Sequence, residues 1–88
     1  MNADSEKINV MVVDDDPCIR DSLQMILLGK YQVYTADCVN AAKAIVAEHA
    51  VDVILLDIEF PDNYSGLDAI EDFRALNALV QIIIISGY

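Results

Sequence analysis

Three stretches of the chain place a carboxylate or hydroxyl where an apolar run stops. Asp14, Asp15 and Asp16 follow Ile8 to Val13. Asp57 ends the run that begins at Val51, with Glu59 two residues on, and Ser86 follows Val80 to Ile85. Runs of this length, mostly β-branched and bounded by turn signals, fit strands buried on both faces, as in a parallel sheet. In open α/β sheets ligands bind outside the carboxyl ends of the strands, so these tips are where chemistry is expected. Carboxylates that converge there repel and raise one another's pKa unless a cation intervenes. Mg2+ suits such a site, because it takes oxygen ligands and binds through one or two carboxylates plus a phosphate. A carboxylate beside Mg2+ can act as a nucleophile toward phosphorus and form an aspartyl phosphate. Ser86, and backbone N–H groups after the third strand, could donate hydrogen bonds to a phosphoryl oxygen.

The elements that position these residues can be read in order. Ile8 to Val13 is a first strand, and Asp16-Pro17 a helix start in which Asp16 caps. Ile19, Leu23, Ile26 and Leu27 then share one helical face, and Gly29 is a C-terminal stop. Tyr31 to Thr35 is a second strand. Asp37 is expected to cap a second helix, with Ala42, Ile45, Val46 and His49 on one face. The strand carrying Asp57 follows. Ser65 with Asp68 resembles a capping box for a third helix through about Asn77, with Leu67, Ile70, Phe73 and Asn77 facing inward. Val80 to Ile85 is a fourth strand. The pattern βαβαβαβ implies an α/β fold with a parallel sheet and right-handed crossovers. Met11 and Met25 are expected in the core, and Tyr31, Tyr34 and Tyr64 in packing roles. His49 is expected as a helix-end side chain favourable to the dipole.

Residues 1–88 read as a single domain. With 56% apolar and 23% charged residues the chain is globular rather than disordered. A net charge of −10 repels phosphate backbones and anionic membranes, which argues against direct nucleic-acid or membrane binding. Cys18 and Cys38 lack a pairing motif, no signal peptide is visible, and no apolar run spans a bilayer, so the expected location is cytoplasmic.

Val12-Val13-Asp14-Asp15-Asp16-Pro17, Leu55-Leu56-Asp57 with Pro61 four residues on, and Ile84-Ile85-Ser86 together resemble response-regulator receiver domains of the CheY type. The resemblance runs from about Ile8 to Tyr88. It implies a flavodoxin-like sheet of order 2-1-3-4-5, with Asp57 as phosphoacceptor and a sensor histidine kinase as phosphodonor. It implies that Asp15 ligates Mg2+ directly, Asp14 through water, and Glu59 through its backbone carbonyl. Ser86 would be the hydroxyl that reorients toward the phosphoryl group.

Two departures accompany the resemblance. Gly66 lies nine residues after Asp57 where the family's loop glycine lies eight after, so one inserted residue is expected around Asn63 to Ser65. The sequence also stops after the fourth strand, without the family's fourth helix, fifth strand and fifth helix. The family's strand-five lysine has no counterpart among Lys7, Arg20, Lys30, Lys43 and Arg74.

The fourth strand is then expected to form an edge with apolar side chains on both faces, open to strand addition. A homodimer through that strand, or by exchange of segments, follows as an expectation. Two functions therefore stand side by side: a phosphoacceptor module using Asp57 with Mg2+, and a non-phosphorylated interaction module acting through the fourth strand. A phosphohydrolase built on Asp57-Ile58-Glu59 lacks the second acid of an Asp-x-Asp pattern, a lysine and a lid, so the chain is expected not to be an enzyme.

Overall fold

A computed structural model of the chain describes residues 7–57 and 66–85. Four strands, β1 (Asn9–Val13), β2 (Gln32–Ala36), β3 (Val53–Asp57) and β4 (Gln81–Ile85), alternate with α1 (Pro17–Leu27), α2 (Val39–Glu48) and α3 (Gly66–Leu76). All pairings are parallel, in the order β2-β1-β3-β4. This is the βαβαβαβ arrangement and the flavodoxin-like order expected from the sequence.

Side chains alternate across the sheet, so each strand feeds two layers. One face is closed. Met11, Val13, Ile54 and Leu56 pack there against Val39, Ala42 and Val46 of α2 and against Ala69 and Phe73 of α3. Phe73 is fully buried, and Tyr34, Ile70 and Ile82 lean on the same cluster. The Lys43 ammonium bridges to Asp72 at 3.3 Å, tying α2 to α3 at a half-exposed position worth little by itself. At the amino edge Asp52 orders the strands: its carboxylate accepts the Asn9 N–H at 2.8 Å, while its own N–H donates to the Asn9 carbonyl at 2.9 Å.

The other face is only partly covered. Val12 is fully buried, yet Ile8, Val10, Leu27, Tyr31, Val53, Leu55 and Ile83 line an open cleft of about 280 Å³. Strand β3 is therefore sealed on one face and half-open on the other, rather than buried on both as expected. α1 has no fully buried residue. Leu23 and Leu27 of its expected inward face are half-buried, but Ile26 is 71% exposed and Met25, expected in the core, is 79% exposed. The cause is geometric: α1 meets β1 and β2, and among the described residues no second helix lies beside it on this face.

The helix ends show which local rules prevailed. Asp16 caps α1 as expected, its carboxylate accepting the Cys18 N–H at 2.9 Å with Pro17 in the first turn. Gly29 lies just past the helix at φ +100°, a left-handed conformation that favours glycine. For α2 the cap is Cys38 and not Asp37: the Cys38 Sγ accepts the Ala41 N–H at 3.5 Å. Helical geometry begins at Val39, which puts Asp37 one residue too early to reach the first turn. His49 stands at the end of α2, as expected, and its ring stacks on Tyr34 with centroids 4.7 Å apart. Asn77 turns its amide inward to donate to the Val51 carbonyl at 2.9 Å, and its oxygen accepts the Leu79 N–H. The expected cap at Ser65 and the inserted residue around Asn63 to Ser65 lie outside the described residues.

Candidate functional site

Asp14 is the first residue after β1, and Asp57 is the last residue of β3. The two strands are hydrogen-bonded neighbours, with Val13 opposite Leu56, so their ends deliver both carboxylates to one point on the carboxyl edge of the sheet. Asp15 joins them from the turn. One carboxylate oxygen from each of Asp14, Asp15 and Asp57 lies within 4.8 Å of the others. Asp14 and Asp57 are buried, at 6% and 9% exposure, whereas Asp15 is open to solvent.

The turn holding this cluster is tied at successive groups. The Asp14 N–H donates to the Ala36 carbonyl at 3.1 Å and continues the β1–β2 ladder by one bond. The Asp14 Oδ1 accepts the Asp16 N–H at 2.9 Å, and the Asp14 carbonyl accepts the Arg20 Nη1 at 2.8 Å. Asp16 then caps α1, so strand end, turn and helix start form one hydrogen-bonded unit.

Electrostatics set the character of the site. The Asp14 carboxyl is raised above the ordinary aspartate range, chiefly because burial penalises its charge. The Asp16 N–H works in the opposite direction, while the negative charges of Asp57, Asp15 and Asp16 add to the rise. Three converging oxygen donors, two of them withdrawn from water, form a set that a small divalent cation would relieve. That donor chemistry fits Mg2+.

The structure thus brings together Asp14, Asp15 and Asp57, three of the residues singled out in the sequence. Glu59 and Ser86 lie outside the described residues, although Asp57 pairs in register with Ile85, the residue before Ser86. Sequence reasoning considered Arg20 only as a lysine substitute and missed its bond to the Asp14 carbonyl. The available signal was its position, one helical turn after the capping Asp16.

Comparison with known proteins gives one answer. The family profile described as "Response regulator receiver domain" matches residues 10–88. The transcriptional regulatory protein MalR of Bacillus subtilis is 37% identical over 83 residues, covering 91% of this chain and 35% of MalR. The transcriptional regulatory protein BtsR of Salmonella typhimurium is 39% identical over 66 residues, covering 72% of this chain and 27% of BtsR. The chain therefore spans about a third or less of these curated relatives. Among solved structures, a CheY-like receiver domain protein from Methanospirillum hungatei superposes with a TM-score of 0.86 at 27% identity, over 94% of this chain and 66% of that one. The MaeR response regulator bound to beryllium trifluoride superposes with a TM-score of 0.79 at 27% identity, over 92% of this chain and 68% of that one.

Proposed function

The chain belongs to the response regulator receiver domain family, and from that membership we propose that it accepts a phosphoryl group on Asp57 from a sensor histidine kinase, with Mg2+ held at Asp14 and Asp15. The observation that carries this reading is the meeting of three carboxylates within 4.8 Å at the tips of adjacent strands. Bound there, Mg2+ would neutralise charge on the cluster and on the phosphoryl oxygens. Asp57 supplies the nucleophile: a carboxylate oxygen forms a bond to phosphorus as the P–N bond to the donor imidazole breaks. The electron pair leaves with that nitrogen, which takes up a proton. Asp14 presents a buried oxygen to the cation shell, and Asp15 presents an exposed one. The proposed roles of the Glu59 carbonyl and the Ser86 hydroxyl complete the set. The chain is on this reading a signalling acceptor in the cytoplasm and not an enzyme.

The experiment is phosphorylation by acetyl phosphate with Mg2+, read as a single phosphoryl addition by intact mass. Wild type is expected to gain the group; Asp57→Asn, or removal of Mg2+ with a chelator, is expected to abolish it. Beryllium trifluoride, the group named with the MaeR structure, serves as a second probe of the same site. Absence of modification in the wild type under these conditions sinks the reading.

A second reading is supported by the state of β4. It is a terminal strand of the sheet among the described residues, and its Ile83 and Ile84 are 52% and 42% exposed. We infer from this that the 88-residue chain, taken alone, associates with a second copy along β4, acting as an interaction module with or without phosphorylation.

A further inference from the structure

We propose that Arg20 is a positioning residue for the acidic site, fixing the peptide that joins Asp14 to Asp15 and thereby where the Asp15 carboxylate meets the cation. The inference rests on the Mg2+-dependent acceptor reading and deepens it, adding a residue that is not itself a ligand.

The geometry is specific. Arg20 Nη1 donates to the Asp14 carbonyl at 2.8 Å from a half-buried position. The base of the side chain is anchored too, because the Arg20 N–H donates to the Asp16 carbonyl at 3.1 Å within the first turn of α1. On the strand side the Asp14 N–H is held by Ala36. The Asp14–Asp15 peptide is thus held at its carbonyl by a side chain from the helix after it, and the peptide before it is held by a backbone ladder bond. Asp15 depends on this grip. Its carboxylate is exposed, and no side-chain hydrogen bond from the described residues orients it.

Location points the same way. Of the five Lys and Arg residues of the chain, Lys7 and Lys30 precede β1 and β2 at the opposite edge of the sheet, and Arg74 sits in the last turn of α3. Lys43 pairs with Asp72. Arg20 alone belongs to the turn and helix start that carry Asp14, Asp15 and Asp16. A guanidinium suits the task, since its planar fork is pre-organised and always charged, whereas an ammonium brings only a point charge on a flexible stem.

The test is a Mg2+ titration of the full 88-residue chain followed by backbone amide shifts, for wild type, Arg20→Ala and Arg20→Lys, with thermal melts of each. Partners that orient metal ligands contribute about tenfold or more to metal affinity. Arg20→Ala is accordingly expected to raise the Mg2+ Kd about tenfold, and Arg20→Lys by a smaller factor. A purely structural role would lower Tm and leave the Kd of the folded protein at the wild-type value, which overturns the proposal. Should Arg20→Ala fail to fold, Arg20→Lys decides: weakened binding supports the proposal, and wild-type binding overturns it. A wild type that binds no Mg2+ overturns the acceptor reading and this proposal together, and so is told apart from failure of the arginine role alone.

Discussion

The Asp14 Oδ1 accepts the Asp16 N–H at 2.9 Å while the Asp14 carboxylate lies within 4.8 Å of those of Asp15 and Asp57. One side chain therefore serves the turn as a hydrogen-bond acceptor and the cluster as a charge. The two roles can be separated. Asp14→Asn keeps an acceptor oxygen for Asp16 but removes a buried, repelled charge. Because the folded-state pKa of Asp14 is raised, its ionisation opposes folding; that cost is present above the folded pKa and vanishes as pH falls through it. Asp14→Asn is expected to raise the Tm of the metal-free chain near neutral pH. The gain should shrink as the solution is acidified through the Asp14 range. Mg2+ affinity should fall in the same variant. A melt near neutral pH without metal that shows a lower Tm contradicts this account.

Phe73 carries the junction of α3 with the sheet, fully buried beside Ile54 and Leu56 in one cluster. Phe73→Ala is expected to cost about 3–5 kcal/mol. In a domain of this size that is a large part of the total stability. Urea unfolding should show a strongly reduced midpoint or no folded baseline; a loss below about 1 kcal/mol would mean the site collapses around the cavity.

The cap of α2 is a thiol at 3.5 Å from the N–H it accepts. Sulfur is a weak acceptor, whereas serine is among the preferred capping residues. Cys38→Ser is expected to stabilise the chain by about 0.5–1 kcal/mol, and Cys38→Ala to change it little. Thermal melts under reducing conditions check both, and a destabilised Cys38→Ser would show that the half-buried sulfur matters for packing instead.

The exposed isoleucines of β4 should control self-association. A lysine on a strand edge is a common device against strand addition. The pair Ile83→Lys and Ile84→Lys is expected to shift the chain from dimer toward monomer in light scattering at micromolar concentration. A wild-type chain already monomeric there removes the β4 dimer.

Most of the architecture was legible because β-branched runs alternate with helical periodicity, and because Asp14, Asp15 and Asp57 stand where those runs stop. What was not legible depends on the third dimension. The inward face of α1 was read as a full stripe, yet only Leu23 and Leu27 are half-buried, since periodicity says which residues share a face and not how much is pressed against it. Asp37 lost the cap to Cys38 because a shift of one residue decides which side chain reaches the first free N–H groups. Arg20 was passed over because a long side chain reaching back to a carbonyl leaves no trace in hydrophobic pattern.

The order β2-β1-β3-β4 has a temporal consequence. β1 can pair with β2 early, since only α1 separates them, but its other neighbour comes from the second half of the chain. During synthesis the Asp14–Asp15 turn can form with α1 and β2 well before Asp57 exists to meet it. The growing chain then carries two acids without their third, and the trio closes only when β3 zips alongside β1. On the proposed chemistry, competence to receive a signal doubles as a certificate that β3 has joined β1.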